Sequence, residues 1–203
     1  MSQFEANKIG QTTAKHVTVI IPSLDEPYLP KLLAKLADYY VNVRSEKGLC
    51  NAVYLGIQNC KTEIVVVMDA DGSHSPEAIP KMLTMLTKDT WLVLGSRYCK
   101  DGYSYDSTLR KIASLLYCLI TRILICPQIR DPMSGFWVGR KDKFVFDPND
   151  NYKFGLELIR KNKNHVAEFP IIFQKRRAGK SKASLLLGLR ELMNIIKKGY
   201  LPI

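Results

Sequence analysis

The chain lacks the residue patterns that mark redox, zinc-binding and membrane-spanning proteins. Its five cysteines, at 50, 60, 99, 118 and 126, form no Cys-x-x-Cys pair and no zinc spacing. Reduced, buried or half-buried thiols are therefore expected. No uncharged apolar run reaches the roughly 18 residues of a membrane-spanning helix. The opening MSQFEANKIGQTTAK has no apolar core, so no signal peptide is expected, and residues 1–15 read as a polar, flexible N-terminus. Histidine is scarce at three residues, and neither His74 nor His165 has an evident partner in the sequence. Acidic residues are in deficit, with 19 Asp and Glu against 30 Lys and Arg, for a net charge of +11. Such an excess implies an anionic partner: a phosphate-bearing small molecule, a nucleic acid or an acidic membrane surface. The basic residues are dispersed and no recognised nucleic-acid module is present, so nucleic acid is not the expected partner.

The rest of the composition is that of one globular domain with an ample core, expected over residues 16–203, with 46% apolar and 24% charged residues. His16 to Ile21 reads as a first strand, followed by a loop with two acids, Asp25 and Glu26. Leucines at 29, 32, 33 and 36 have helical spacing. Tyr39 to Arg44 alternates as a strand, and Leu49 to Asn59 reads as a small-faced helix. Ile64 to Met68 is an unbroken apolar run, which predicts a strand buried on both faces. Helix from Pro76, strand from Trp91 to Leu94, a loop from Tyr98 to Ser107, and a long apolar helix from Leu109 to Cys126 follow. A turn at 131–137 feeds a short strand. A helix over 154–161, a strand over 165–173, a basic loop over 175–182 and an amphipathic helix over 183–198 complete the pattern. Strands alternate with helices, which predicts an α/β fold with a mostly parallel sheet.

The stretch Ile64–Glu77, IVVVMDADGSHSPE, is where chemistry is expected. Asp69 and Asp71 lie just past a buried strand, where open α/β sheets bind ligands. Ser75 is placed as an N-cap, with Pro76 at the first helical position. An Asp-x-Asp pair alone is weak evidence for a metal, because such pairs also cap helices or face solvent. An EF-hand loop needs Gly at its sixth position, and His74 stands there. VVVMDADGS also resembles the nucleophile motif of haloacid-dehalogenase-type phosphatases, with Asp69 as nucleophile. The second acidic motif of those enzymes has no counterpart after the later strands.

Taken together, the motifs resemble family 2 glycosyltransferases, and among them dolichol-phosphate mannose synthases and related polyprenyl-phosphate glycosyltransferases. The motifs are Pro22-Ser-Leu-Asp-Glu26, Gly48-Leu49, Val67–Glu77, Gly95-Ser-Arg-Tyr98, Asp131-Pro-Met-Ser-Gly-Phe136, Tyr152-Lys-Phe-Gly-Leu-Glu157 and Arg176-Arg-Ala-Gly-Lys-Ser-Lys182. They occur in the family's order over about residues 16–185. The resemblance implies a GT-A-like single domain with a mostly parallel central sheet flanked by helices. It also shows a departure. Only residues 23–47 separate Pro22 from Gly48, so the domain looks shortened by about one βα unit, roughly 30 residues in a complete crossover. In relatives that segment supplies an Asp that reads the nucleotide base. Ser73, where many relatives have Gln, is a smaller departure.

What the resemblance implies chemically is an inverting transfer of a sugar, mannose or glucose, from a nucleotide-diphosphate sugar to a polyprenyl or dolichyl phosphate. Asp69 and Asp71 would hold Mg²⁺ or Mn²⁺, and with Arg97 they are the implied catalytic residues. Pro22, Leu24, Glu26, Asp69, Ala70, Asp71, Arg176 and Lys182 would line the nucleotide-sugar site. Arg97, Arg110 and Ser134 would serve the acceptor phosphate. The alternatives are the phosphatase and a catalytically silent relative that binds a membrane or a partner.

The helix from Leu109 to Cys126 is apolar around much of its circumference, which fits either full burial or an interfacial helix dipping into lipid. The chain is accordingly expected at a membrane surface, on the cytosolic face (the endoplasmic reticulum in a eukaryote), by itself or with a membrane-anchoring partner subunit.

Overall fold

The computed structural model describes residues 14–124, 126–149 and 154–176. A six-stranded sheet runs through the centre in the order β2-β1-β3-β6-β4-β7. Its strands are β1 (Val17–Pro22), β2 (Tyr40–Arg44), β3 (Ile64–Val67), β4 (Leu92–Ser96), β6 (Trp137–Arg140) and β7 (Val166–Pro170). β2, β1 and β3 are parallel, as are β4 and β7. β6 lies between β3 and β4 and is antiparallel to both. The mostly parallel α/β sheet expected from the alternation of elements is present.

Burial of both faces explains the unbroken apolar run of β3. Ile64 and Val66 join one core with Val17, Val19 and Ile21 of β1, Leu32 of α1 (Leu29–Lys35), and Ile79 and Met82 of α3 (Ile79–Thr84). Val65 and Val67 point the other way, into a core with Val53 and Ile57 of α2 (Leu49–Gln58) and Leu158 and Ile159 of α5 (Phe154–Lys161). Each fully buried aliphatic side chain contributes about 1.5–3 kcal/mol, so a polar residue anywhere in β3 would cost on either face.

Between β1 and β2 stands α1 alone. The two strands pair directly, with Pro22 opposite Arg44 and the Ser23 N–H donating to the Arg44 carbonyl at 2.8 Å. This brings the end of β2 alongside the loop after β1.

Several local expectations need correction. Ser75 is at an N-cap position but makes no capping hydrogen bond; its hydroxyl goes to Glu77 instead, and a 3₁₀ turn over Pro76–Ala78 precedes α3. The loop over 98–107 contains β5 (Tyr103–Ser104), which pairs in parallel with β8 (Ile172–Phe173). The single strand expected over 165–173 is thereby split, because the chain leaves the main sheet after Pro170 and joins this second sheet. The expected helix over 183–198 and residues 177–182 of the basic loop lie outside the described residues.

The long helix α4 (Thr108–Leu124) is not a fully buried one. Cys118 and Thr121 face inward, while Leu109, Ile112, Leu116, Leu119 and Ile123 are each half or more exposed. Their spacing of three and four residues lines them up on one side of the helix. No helix among the described residues is long and apolar enough to cross a membrane.

Candidate active site

Beyond β3 the backbone leaves the sheet through Met68 and enters the acidic turn. Asp71 is buried and held from one side. Its Oδ1 accepts the Ser73 N–H at 2.9 Å and the Ser73 hydroxyl at 2.5 Å. Ser73 is thus the residue that orients Asp71. The other carboxylate oxygen, Oδ2, is buried without a hydrogen-bond partner. It lies 2.9 Å from Arg176 Nε, an ionic contact that lacks hydrogen-bond alignment. Arg176 is brought there by the strand before it, since the Gln174 N–H donates to the Ser73 carbonyl at 2.9 Å. Gly72 makes the turn possible. Its φ is +77°, and a Cβ would approach the Tyr28 ring to 2.7 Å.

Asp69 is more open, with 37% of its side chain exposed. Its backbone N–H donates to His74 Nδ1 at 3.2 Å. His74 is buried against Phe136 and Phe173, with ring centroids 5.1 and 5.3 Å away. Burial pushes its pKa below the ordinary value, against the opposing pull of Asp69 and Asp71. A neutral ring is what allows Nδ1 to accept this bond. His74 therefore does have a partner, which sequence spacing did not reveal. The Asp131–Gly135 turn abuts Asp69 from the other side, where a Cβ on Gly135 would stand 3.4 Å from both carboxylate oxygens.

Pro22, Leu24, Glu26, Asp69, Ala70, Asp71 and Arg176 all line one cleft of about 280 Å³. The residues expected on the nucleotide side are thus brought together; Lys182 lies outside the described residues. Two more residues of the lining, Ser23 and Glu26, each have a buried side-chain oxygen, Oγ and Oε2, without a hydrogen-bond partner. Each such atom costs roughly 1–3 kcal/mol if left unpaired. These two, beside the Asp71–Arg176 ion pair, mark the cleft as suited to a polar ligand.

The wall across from the acidic turn was not foreseen. It carries Arg44 and Glu46, joined by a fork of two hydrogen bonds, Arg44 Nε to Glu46 Oε2 at 3.0 Å and Arg44 Nη2 to Glu46 Oε1. The available signal was the position of Arg44 at the end of a strand neighbouring β1.

The residues expected to serve an acceptor phosphate, Arg97, Arg110 and Ser134, are not among those that line this cleft. Arg97 grips Asp131, with Nε to Oδ2 at 2.7 Å and Nη2 to Oδ1 at 2.8 Å, and its backbone N–H also donates to Oδ2 at 2.9 Å. Burial alone would lower its pKa, but the Asp131 charge and hydrogen bonds outweigh that and raise it. Two faces of the Arg97 fork are therefore already engaged. Arg110 is half exposed, 3.8 Å from Asp106. Ser134 is a turn residue whose hydroxyl accepts the Phe136 N–H at 3.2 Å and whose carbonyl accepts from Trp137 Nε1 at 2.8 Å.

Asp69 and Asp71 suit a hard divalent cation, which favours carboxylate oxygens, and Oδ2 of Asp71 accepts no hydrogen bond and meets only the ionic contact with Arg176. Among the described residues no group of three or more His, Cys, Asp or Glu could hold a metal ion. A cation here would take its remaining oxygens from a diphosphate and water, as Mg²⁺ commonly does.

Sheet order and cleft together define an α/β domain of the GT-A type. The chain belongs to glycosyl transferase family 2, whose sequence pattern it matches over residues 26–146. It is 37% identical over 144 residues to a dolichol-phosphate mannosyltransferase of Pyrococcus furiosus, an alignment that covers 68% of this chain and 41% of that protein. It is 34% identical over 168 residues to the Saccharomyces cerevisiae protein of the same name, covering 73% and 61%. An undecaprenyl-phosphate mannosyltransferase of Micrococcus luteus is 31% identical over 147 residues, covering 68% and 60%. The matched part thus spans about two fifths to three fifths of these relatives. In fold the chain is similar to glucosyl-3-phosphoglycerate synthase from Mycobacterium tuberculosis, solved with Mn²⁺, UDP-glucose and phosphoglyceric acid. That likeness has a TM-score of 0.66 at 14% identity and covers 100% of this chain and 86% of the other. Family membership removes the phosphatase alternative, and with it the role of Asp69 as a nucleophile.

Proposed function

We propose that the chain transfers a sugar, mannose or glucose, from a nucleotide-diphosphate sugar to a polyprenyl phosphate at the cytosolic surface of a membrane. The observation that carries this reading is one cleft lined by the Asp69–Asp71 carboxylate pair, by Arg176 in ionic contact with Asp71, and by Ser23 and Glu26, whose Oγ and Oε2 are buried without hydrogen-bond partners. The names of the relatives support the acceptor class.

In this reading the nucleoside lies between Pro22–Glu26 and the Arg44–Glu46 wall, and the diphosphate lies toward Asp69, Asp71 and Arg176. Mg²⁺ or Mn²⁺ held by Asp69 and Asp71 would supply charge neutralisation for the departing nucleoside diphosphate. Ser73 keeps Asp71 pointed inward, and His74 holds the backbone of Asp69. An oxygen of the acceptor phosphate attacks the anomeric carbon as the bond to the diphosphate breaks, giving glycosyl phosphoprenol and nucleoside diphosphate with inversion. The acceptor oxygen is already anionic, so no strong general base is required. Arg97 supports the acceptor side by fixing the Asp131–Gly135 turn beside Asp69.

The exposed stripe of α4 supports the membrane surface. Its apolar residues would enter lipid, with Arg110 and Lys111 toward anionic headgroups.

A donor panel of GDP-mannose, UDP-glucose and UDP-N-acetylglucosamine with a short prenyl phosphate and Mn²⁺ tests the proposal. Transfer that stops with EDTA and in Asp71→Ala is expected. Transfer indifferent to EDTA would refute the metal-dependent mechanism. Salt-sensitive liposome binding without any nucleotide-sugar binding would favour the catalytically silent alternative.

A further inference from the structure

The Arg176 guanidinium stands where the charge of a cation is needed. Nε is 2.9 Å from the one Asp71 oxygen that nothing else engages. Asp71 is 3% exposed and Arg176 31%, so the carboxylate is fixed inside while the arginine approaches from the cleft. The carboxylate is also anchored independently of Arg176, through Oδ1 and Ser73. The contact itself is ionic rather than directional, so it can exchange without breaking an aligned hydrogen bond.

A divalent ion bound at Asp71 Oδ2 and a guanidinium at the same oxygen exclude each other by like-charge repulsion. A diphosphate in the cleft changes that competition, because it offers Arg176 a new anionic partner of the shape that arginine binds best.

We infer that Arg176 is a stand-in counter-ion for the metal site: it neutralises Asp71 in the free protein and exchanges to the donor diphosphate when cation and donor enter together. This rests on the proposed donor site and adds a binding order to it. Free divalent metal binds weakly, nucleoside diphosphate strengthens it, and by linkage metal strengthens nucleotide binding by the same factor. Gln174, bonded to the Ser73 carbonyl, keeps the arginine within reach of both partners.

The test is Mn²⁺ binding to the free 203-residue chain, read by electron paramagnetic resonance, with and without GDP or UDP. Arg176→Gln is expected to bind Mn²⁺ alone about ten-fold more tightly than the wild type, and to lose most of the strengthening by nucleoside diphosphate, within the roughly 5- to 150-fold range of such couplings. Arg176→Lys, which keeps the charge, should stay near the wild type for Mn²⁺ alone. Near-UV circular dichroism checks that each variant is folded. Should Arg176→Gln fold poorly, the wild type decides: Mn²⁺ affinity unchanged by GDP and by UDP overturns the inference. Equal or weaker Mn²⁺ binding by folded Arg176→Gln also overturns it. If the wild type binds Mn²⁺ and a nucleotide sugar while Arg176→Gln shows no change, the exchange fails and the glycosyltransferase reading stands. If no nucleotide sugar binds any of the proteins, that reading fails, and the comparison with Mn²⁺ alone still decides whether Arg176 competes for Asp71.

Discussion

Arg97 and Asp131 meet in a closed fork, 2.7 and 2.8 Å at its two prongs, with the Asp131 carboxylate fully buried. The pair links the end of β4 to the turn that abuts Asp69. Removing one partner of such a buried pair leaves the other charge without compensation, at a cost of about 3–5 kcal/mol. Asp131→Ala should therefore shift the urea unfolding midpoint strongly downward. Arg97→Lys keeps the charge and loses the fork, so it should unfold at an intermediate midpoint.

His74 predicts a pH dependence of stability. Its folded pKa is lowered by burial, so the unfolded chain binds the proton more readily. The stability due to the neutral ring is complete above the ordinary value of about 6.5. It is lost progressively as the pH falls below that toward the folded value. Unfolding of the metal-free protein between pH 7 and pH 5 checks this. His74→Gln keeps an acceptor for the Asp69 N–H and should show a flatter profile than the wild type over that interval.

Gly72 cannot carry a side chain without displacing Tyr28. A left-handed non-glycine residue costs on the order of 1–3 kcal/mol, before any clash is counted. Gly72→Ala should lower the thermal midpoint and weaken Mn²⁺ binding together, because the turn that aims Asp71 moves with it. Binding unchanged in a destabilised variant would separate the turn from the carboxylate.

The stripe on α4 should carry membrane binding while contributing little to folding. Leu116→Glu with Leu119→Glu replaces residues that are half or more exposed, and surface changes usually stay within about 0.5 kcal/mol each. Sedimentation with anionic vesicles should show loss of binding by the double variant at an unchanged unfolding midpoint. Wild-type binding should weaken as salt screens Arg110 and Lys111.

The strands buried on both faces were the most legible part of the sequence. β3 and the Leu92–Leu94 part of β4 are short apolar runs without alternation, buried on both faces. Asp69 and Asp71 were legible for a related reason, as charges at the point where such a run stops. The split of 165–173 into β7 and β8 was not, because the change of sheet is a matter of backbone path rather than side-chain period. The apolar content of α4 was evident, but which way its face points depends on what packs beside it. The roles of Ser73 and His74, and the presence of Arg44 and Glu46 at the cleft, were not legible, because they depend on partners that only the turn and the β1–β2 pairing bring near. The pairing of β1 with β2 puts Arg44 and Glu46 in the same cleft as Asp69 and Asp71.

β6 has a consequence for how the chain comes off the ribosome. β3 and β4 do not touch each other in the sheet; each pairs with Trp137–Arg140 between them. A nascent chain that has emerged only as far as β4 therefore holds two strands with open edges facing a gap, and the filler is still some forty residues away in synthesis. Open edges of apolar strands invite pairing with other chains. Between the emergence of β4 and of β6 those edges have no partner within the chain.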